Sequence, residues 1–111
     1  MNKLNIGKVT NTFCLLEGRH QIPGDPPAAV KEFDFSNKKS LFSEQFKYYV
    51  EATKNRPRCF FRIYVTGLTP ALIDTLNFIK EAKGAKREYT HIYLLHYDRE
   101  TDSYWKQEIE L

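Results

Sequence analysis

The chain has little of several things, and each scarcity narrows what it can be. It has two cysteines, Cys14 and Cys59. They form no CxxC pair, no histidine stands near them at metal-ligand spacing, and both fall in apolar stretches. They read as buried thiols in a reducing compartment, poorly placed for nucleophilic catalysis. The three histidines, His20, His91 and His96, are scattered. His91 and His96 fall five apart on one strand and so point to opposite faces, which gives no metal site. Neither a P-loop nor a GxGxxG is present, and no cofactor is expected. No apolar run approaches the roughly 18 residues of a membrane span. Met1 to Lys8 lacks the apolar core of a signal peptide. A cytoplasmic protein with no membrane partner is expected.

An excess of charge is missing too. Lys and Arg number 17 against 14 Asp and Glu, a net charge of +3. That mildly favours anionic partners and is far from the basic footprint of a duplex DNA binder. Arg56, Arg58 and the run Lys83 to Arg87 are local clusters of solvated loop charge.

What is present is an ordinary globular composition in 111 residues, 41% hydrophobic and 28% charged, enough for one domain spanning residues 1–111. Eight Phe, seven Tyr and one Trp supply an aromatic core, with some rings left for a partner surface. A domain this small leaves little area for a deep private cavity. A site built between subunits, hence a homodimer, is expected.

Periodicity places the elements. Lys3 to Val9 and Thr12 to Leu16 read as short strands, with His20-Gln21-Ile22 as a hairpin partner after the turn Glu17-Gly18-Arg19. Three prolines in residues 23–27 make a loop. Ala28 to Phe35 is extended and Asn37 to Ser40 turn-like. A helix is expected over Leu41 to Lys54, with Ser40 as N-cap and Phe42, Phe46, Tyr49 and Val50 on one face. Cys59 to Val65 is a strongly apolar run interrupted by Arg62, the expected central strand. A second helix follows, with Thr69 as N-cap, Pro70 at the first helical position, Asp74 near the positive dipole end and Gly84 at the stop. Its buried stripe is Leu72, Ile73, Leu76 and Ile79. His91 to Tyr97 and Ser103 to Leu111 form a C-terminal hairpin around Asp98 to Asp102. Cys59 to Tyr97 has the length of a βαβ unit, so its strands run parallel with a right-handed crossover.

Ligands of open α/β sheets lie outside the carboxyl ends of the strands. Those ends are Thr66-Gly67 on one strand and His96-Tyr97-Asp98 on the next. The helix starting near Pro70 aims the free N–H groups of Ala71 and Leu72 into the same crevice, which suits phosphate or carboxylate. Gly67 permits close backbone approach, Thr66 and Thr69 supply hydroxyls, Arg99 can clamp an anion, and His96 can act as acid or base. Each element has a plainer reading. Gly-x-Thr-Pro is a good helix start, His96 a hydrogen-bonded strand end, and Asp98 with Arg99 a hairpin turn. Glu17-Gly18-Arg19-His20 is a second polar cluster, readable as a lid over the crevice or as a turn.

Val65-Thr66-Gly67-Leu68-Thr69-Pro70-Ala71-Leu72 resembles the strand-loop-helix of CARF domains. These are the Rossmann-like sensors of cyclic oligoadenylate in type III CRISPR antiviral defence, and many carry a Thr-Gly-Gly-Thr-Lys loop against the ligand phosphates. The small ring nucleases of those systems share the logic of compact α/β chains that dimerise around a cyclic oligonucleotide. Leu68 replaces a glycine of that loop and Pro70 its lysine. The periodicity gives a single α/β domain of order β-β-α-β-α-β-β, and the resemblance implies that it is CARF-like and binds a cyclic oligonucleotide through Thr66, Gly67 and Thr69; Leu68 in the same loop, Arg19 and Asp98 are further candidate ligand contacts. The resemblance also implies a metal-independent phosphodiesterase using His96 or His20 with Arg99, or a protein that sequesters the ligand. The competing expectation is a non-enzymatic interaction module, such as a phage or mobile-element inhibitor. A third is a single-strand nucleic-acid binder using its Tyr and Phe rings as stacking platforms.

Overall fold

The run from Cys59 alternates cleanly once folded: Cys59, Phe61 and Ile63 point into the core, while Phe60, Arg62 and Tyr64 point the other way. The computed structural model describes residues 10–16, 22–56, 58–85 and 90–111. Among them the elements, in chain order, are β1 (Thr10–Leu16), β2 (Ala28–Asp34), β3 (Lys39–Phe42), α1 (Glu44–Thr53), β4 (Cys59–Tyr64), α2 (Thr69–Lys83), β5 (Thr90–Asp98) and β6 (Ser103–Ile109). The strand proposed over Lys3 to Val9 lies outside the described residues.

The strands form one mixed sheet in the order β3-β2-β1-β4-β5-β6. β2, β1, β4 and β5 run parallel, and β3 and β6 close the two edges antiparallel. The α/β class, the parallel pair around α2 and the C-terminal hairpin are as expected. β1 differs: its partners are β2 and β4, both parallel, and Ile22 lies in no strand, so the hairpin expected after Leu16 is not its pairing.

The first helix also starts later than its spacing suggested. Asp34 accepts hydrogen bonds from the Ser36 and Asn37 N–H groups (3.0 and 3.3 Å) and from the Asn37 side chain (2.7 Å). This side-chain turn reverses the chain, so Ser40, Leu41 and Phe42 pair with β2 as β3. Ser43, not Ser40, caps α1, accepting from the Phe46 N–H at 3.1 Å.

Both helices cover the same face of the sheet. Phe46 of α1 meets Phe13 of β1 edge-on (5.2 Å), and Phe78 of α2 meets Phe46 (5.6 Å) and Phe42 (4.8 Å). The core runs through Phe13, Leu15, Phe46, Phe61, Ile63, Ile79 and Ile92. Of the expected stripe on α2, Ile79 is buried and Leu72 and Leu76 pack against the core, whereas Ile73 is half exposed; Ala71 and Thr75 complete the buried side. Buried Lys83, from the end of α2, donates to the Thr53 carbonyl at the end of α1, where a cation suits the negative helix terminus. Cys14 and Cys59 are buried free thiols, as their apolar surroundings suggested.

Candidate functional site

β4 gives way to α2 through four residues, each held differently. The Val65 N–H donates to the Leu95 carbonyl (3.0 Å), so pairing with β5 runs into the loop. Thr66 is buried, and its hydroxyl donates to the Leu16 carbonyl (2.9 Å) and accepts from the Leu16 N–H (3.3 Å). It therefore ties the carboxyl ends of β1 and β4 together. Gly67 has φ 103°, a conformation side chains rarely adopt. Leu68 is the N-cap, and no side chain bonds to the helix start. Thr69 is the first helical residue, not the cap, because Leu68 packs against the core and its carbonyl accepts the first helical bond, from Leu72 (3.2 Å).

The first turn of α2 carries no acidic residue. Asp74, expected to serve the dipole, instead accepts from the Ser40 N–H and hydroxyl (3.0 and 2.8 Å), fastening α2 to β3. Leu72, expected to offer a free N–H, is thus engaged by Leu68 and Pro70 has none, so Thr69 and Ala71 supply the N–H groups at this electropositive end, and its first turn carries no carboxylate of its own. Its place in the fold matters equally. The chain leaves β1 for β2 on one side, and β4 lies on the other side of β1. That is a topological switch point, where open α/β sheets receive ligands.

The remaining predicted residues fall on or beyond the neighbouring hairpin. Tyr64 pairs with Leu95, so His96, Tyr97 and Asp98 extend past the end of β4 with β6 as their partner. His96 lies on the helix-covered side of its strand. Its ring packs on Trp105 (4.6 Å), and its Nε2 lies 2.8 Å from the Gln107 side-chain oxygen. Asp98 accepts from the Glu100 N–H (3.0 Å), which is its turn-building role. Arg99 is exposed at the tip. Tyr97 donates to Asp102 (2.6 Å), a bond that holds its phenol pKa above the ordinary value. Thr66, Gly67, Leu68 and Thr69 thus lie at the switch point, whereas His96, Asp98 and Arg99 lie on the hairpin past the end of β4. Arg19 and His20 lie outside the described residues. Among the described residues no three His, Cys, Asp or Glu side chains group to hold a metal, and no helix is long and apolar enough to cross a membrane.

One feature escaped sequence reasoning. The sheet face away from the helices carries Phe60, Arg62 and Tyr64, and a hollow of about 420 Å³ opens there between Arg62, Tyr64, Thr12 and the loop of Asp25, Pro26 and Pro27. The signal was present: a lone arginine alternating with aromatics in a central strand. No family model matches the chain, and neither a curated protein nor a solved structure matches it.

Proposed function

We propose that the protein binds a phosphate-bearing nucleotide at the carboxyl edge of β1 and β4, most specifically a cyclic oligonucleotide second messenger of the oligoadenylate type. One observation carries the reading: the start of α2 is open, without side-chain cap or acidic residue, and stands at the switch point behind Gly67. Thr66 supports it indirectly, by holding the loop to β1. A ring-shaped ligand is larger than one such edge, so two copies of the chain bind it. In a reducing cytoplasm the buried thiols stay free.

Sequestration fits the geometry better than cleavage, because His96 is engaged by Trp105 and Gln107. Ring opening would need His96 to leave those partners, with Arg99 or the residues Arg19 and His20 stabilising charge.

Calorimetric titration with cyclic tri-, tetra- and hexa-adenylate tests this. One member is expected to bind with Kd of about 1 μM or tighter. Thr69→Glu places a carboxylate where the phosphate would lie, yet suits the helix dipole. It is expected to weaken binding at least about tenfold without lowering the melting temperature. Failure of the whole panel to bind, or a variant that binds like the parent, sinks the reading and leaves the interaction module in its place.

A further inference from the structure

β2, β1, β4 and β5 run parallel, and parallel strands are stable when both faces of their sheet are covered. The helices cover one face. On the other, the loop of residues 23–27 stands over β1 and walls the hollow beside Arg62 and Tyr64. Farther along that face, over β4, β5 and β6, Phe60, Tyr64, Tyr93 and Tyr104 are half-buried, Arg62, Lys106 and Glu108 are exposed, and Leu95 is buried. The register of these strands is symmetric about β5. Arg62 of β4 and Glu108 of β6 are both level with Tyr93, and Tyr64 of β4 and Lys106 of β6 are both level with Leu95. Among the described residues neither Arg62 nor Asp25 forms an ion pair, and Glu108 lies 3.4 Å from His91.

That symmetry selects the occupant. A two-fold axis laid along β5 turns the face onto itself, so that β4 of one copy meets β6 of the other and β5 meets β5. We propose that the protein forms a homodimer through this face. Sheets packed face to face lie about 10 Å apart, a gap that two long side chains span. Arg62 then meets the second copy's Glu108, and the same contact is made again on the other side of the axis. Tyr64 meets the second copy's Lys106, a cation set against a ring. The hollow of about 420 Å³ lies where the second copy's β6 enters, and Asp25 at its rim gives that Lys106 a carboxylate. A purely anionic partner would be repelled by Glu108 and Asp25, and a purely cationic one by Arg62 and Lys106. A second copy satisfies both signs. The axis runs parallel to the strands, so the carboxyl ends of both sheets lie at one end of the dimer. That suits a ligand shared by two copies, but the dimer stands on its own face and does not rest on that reading.

Sedimentation velocity on the full chain, free of nucleotide and between about 1 and 100 μM, tests it across the range of micromolar dissociation constants. The mass of two chains is expected at the upper end. Arg62→Glu sets carboxylates against each other on both sides of the axis, and Glu108→Arg does the same with cations. Each is expected to raise the dissociation constant of the dimer at least about thirtyfold. The double variant, Arg62→Glu with Glu108→Arg, restores opposite charges across the axis and is expected to recover the dimer, which a merely structural role of either residue does not predict. Both positions are exposed, and far-ultraviolet circular dichroism checks that each variant folds. A chain that is monomeric throughout, single variants that dimerise like the parent, or a double variant that stays monomeric overturns the proposal. No cyclic ligand enters the measurement, so a failed nucleotide titration at the start of α2 leaves its outcome unchanged.

Discussion

Thr66 shows how a residue's chemistry and its use can part. By type it is a phosphate-binding hydroxyl beside a glycine. In the fold its hydroxyl serves the Leu16 backbone in both directions, and the side chain is buried. Thr66→Val keeps the shape and removes both bonds to the Leu16 backbone. Urea denaturation is expected to show a loss of about 1–3 kcal/mol, and Thr66→Ser should recover most of it. A Val variant as stable as the parent would mean that the strand ends are not held by this hydroxyl. Lys83 is a parallel case. It read as part of a solvated basic cluster, yet it is buried and closes the end of α1.

At the scale of elements, the caps decide where the helices lie. Ser43 accepts from the Phe46 N–H and donates to the Ala28 carbonyl (2.7 Å), so it both starts α1 and fastens it to β2. Ser43→Ala is expected to cost about 1–2 kcal/mol in chemical denaturation, and Ser40→Ala to act instead on the α2 contact through Asp74. Sequence reading confused the two serines because Phe42 shares helical spacing with Phe46 and Tyr49. What settles the boundary is the Asp34 turn together with the pairing of Ser40 to Phe42 on β2, which helical spacing does not reveal. β4, α2, β5 and β6 were legible because apolar runs, Gly67-x-Thr69-Pro70 and the hairpin residues are local signals. The neighbours of β1 were not legible, since strand order is a tertiary property. The site divides along the same line. Its loop could be read directly, whereas the engagement of Thr66 by β1 depends on a strand distant in the chain, and that of His96 by Trp105 and Gln107 on the register of the hairpin.

In the whole molecule, one layer of helices sits on one sheet, and Tyr49 is a principal bond between them. Its ring packs on Phe13 (5.9 Å) and Phe61 (5.3 Å), and its hydroxyl donates to the Phe60 carbonyl (3.3 Å). Burial pushes its phenol pKa well above the ordinary 10.0. Because the folded value is the higher one, the stabilisation is fully present below pH 10 and is lost as pH rises through the folded value. Near-ultraviolet difference absorbance should therefore show Tyr49 ionising together with alkaline unfolding, and Tyr49→Phe should flatten that pH dependence. Ionisation of Tyr49 well before unfolding would contradict its place in the core. The sheet's two margins have a consequence of another kind. β3 is four residues long beside a bulge at Val30 and Glu32, and β6 carries Lys106 and Glu108 along its exposed length. Neither margin is a good template for an incoming strand. The protein should stay monodisperse when concentrated, without growing into fibres.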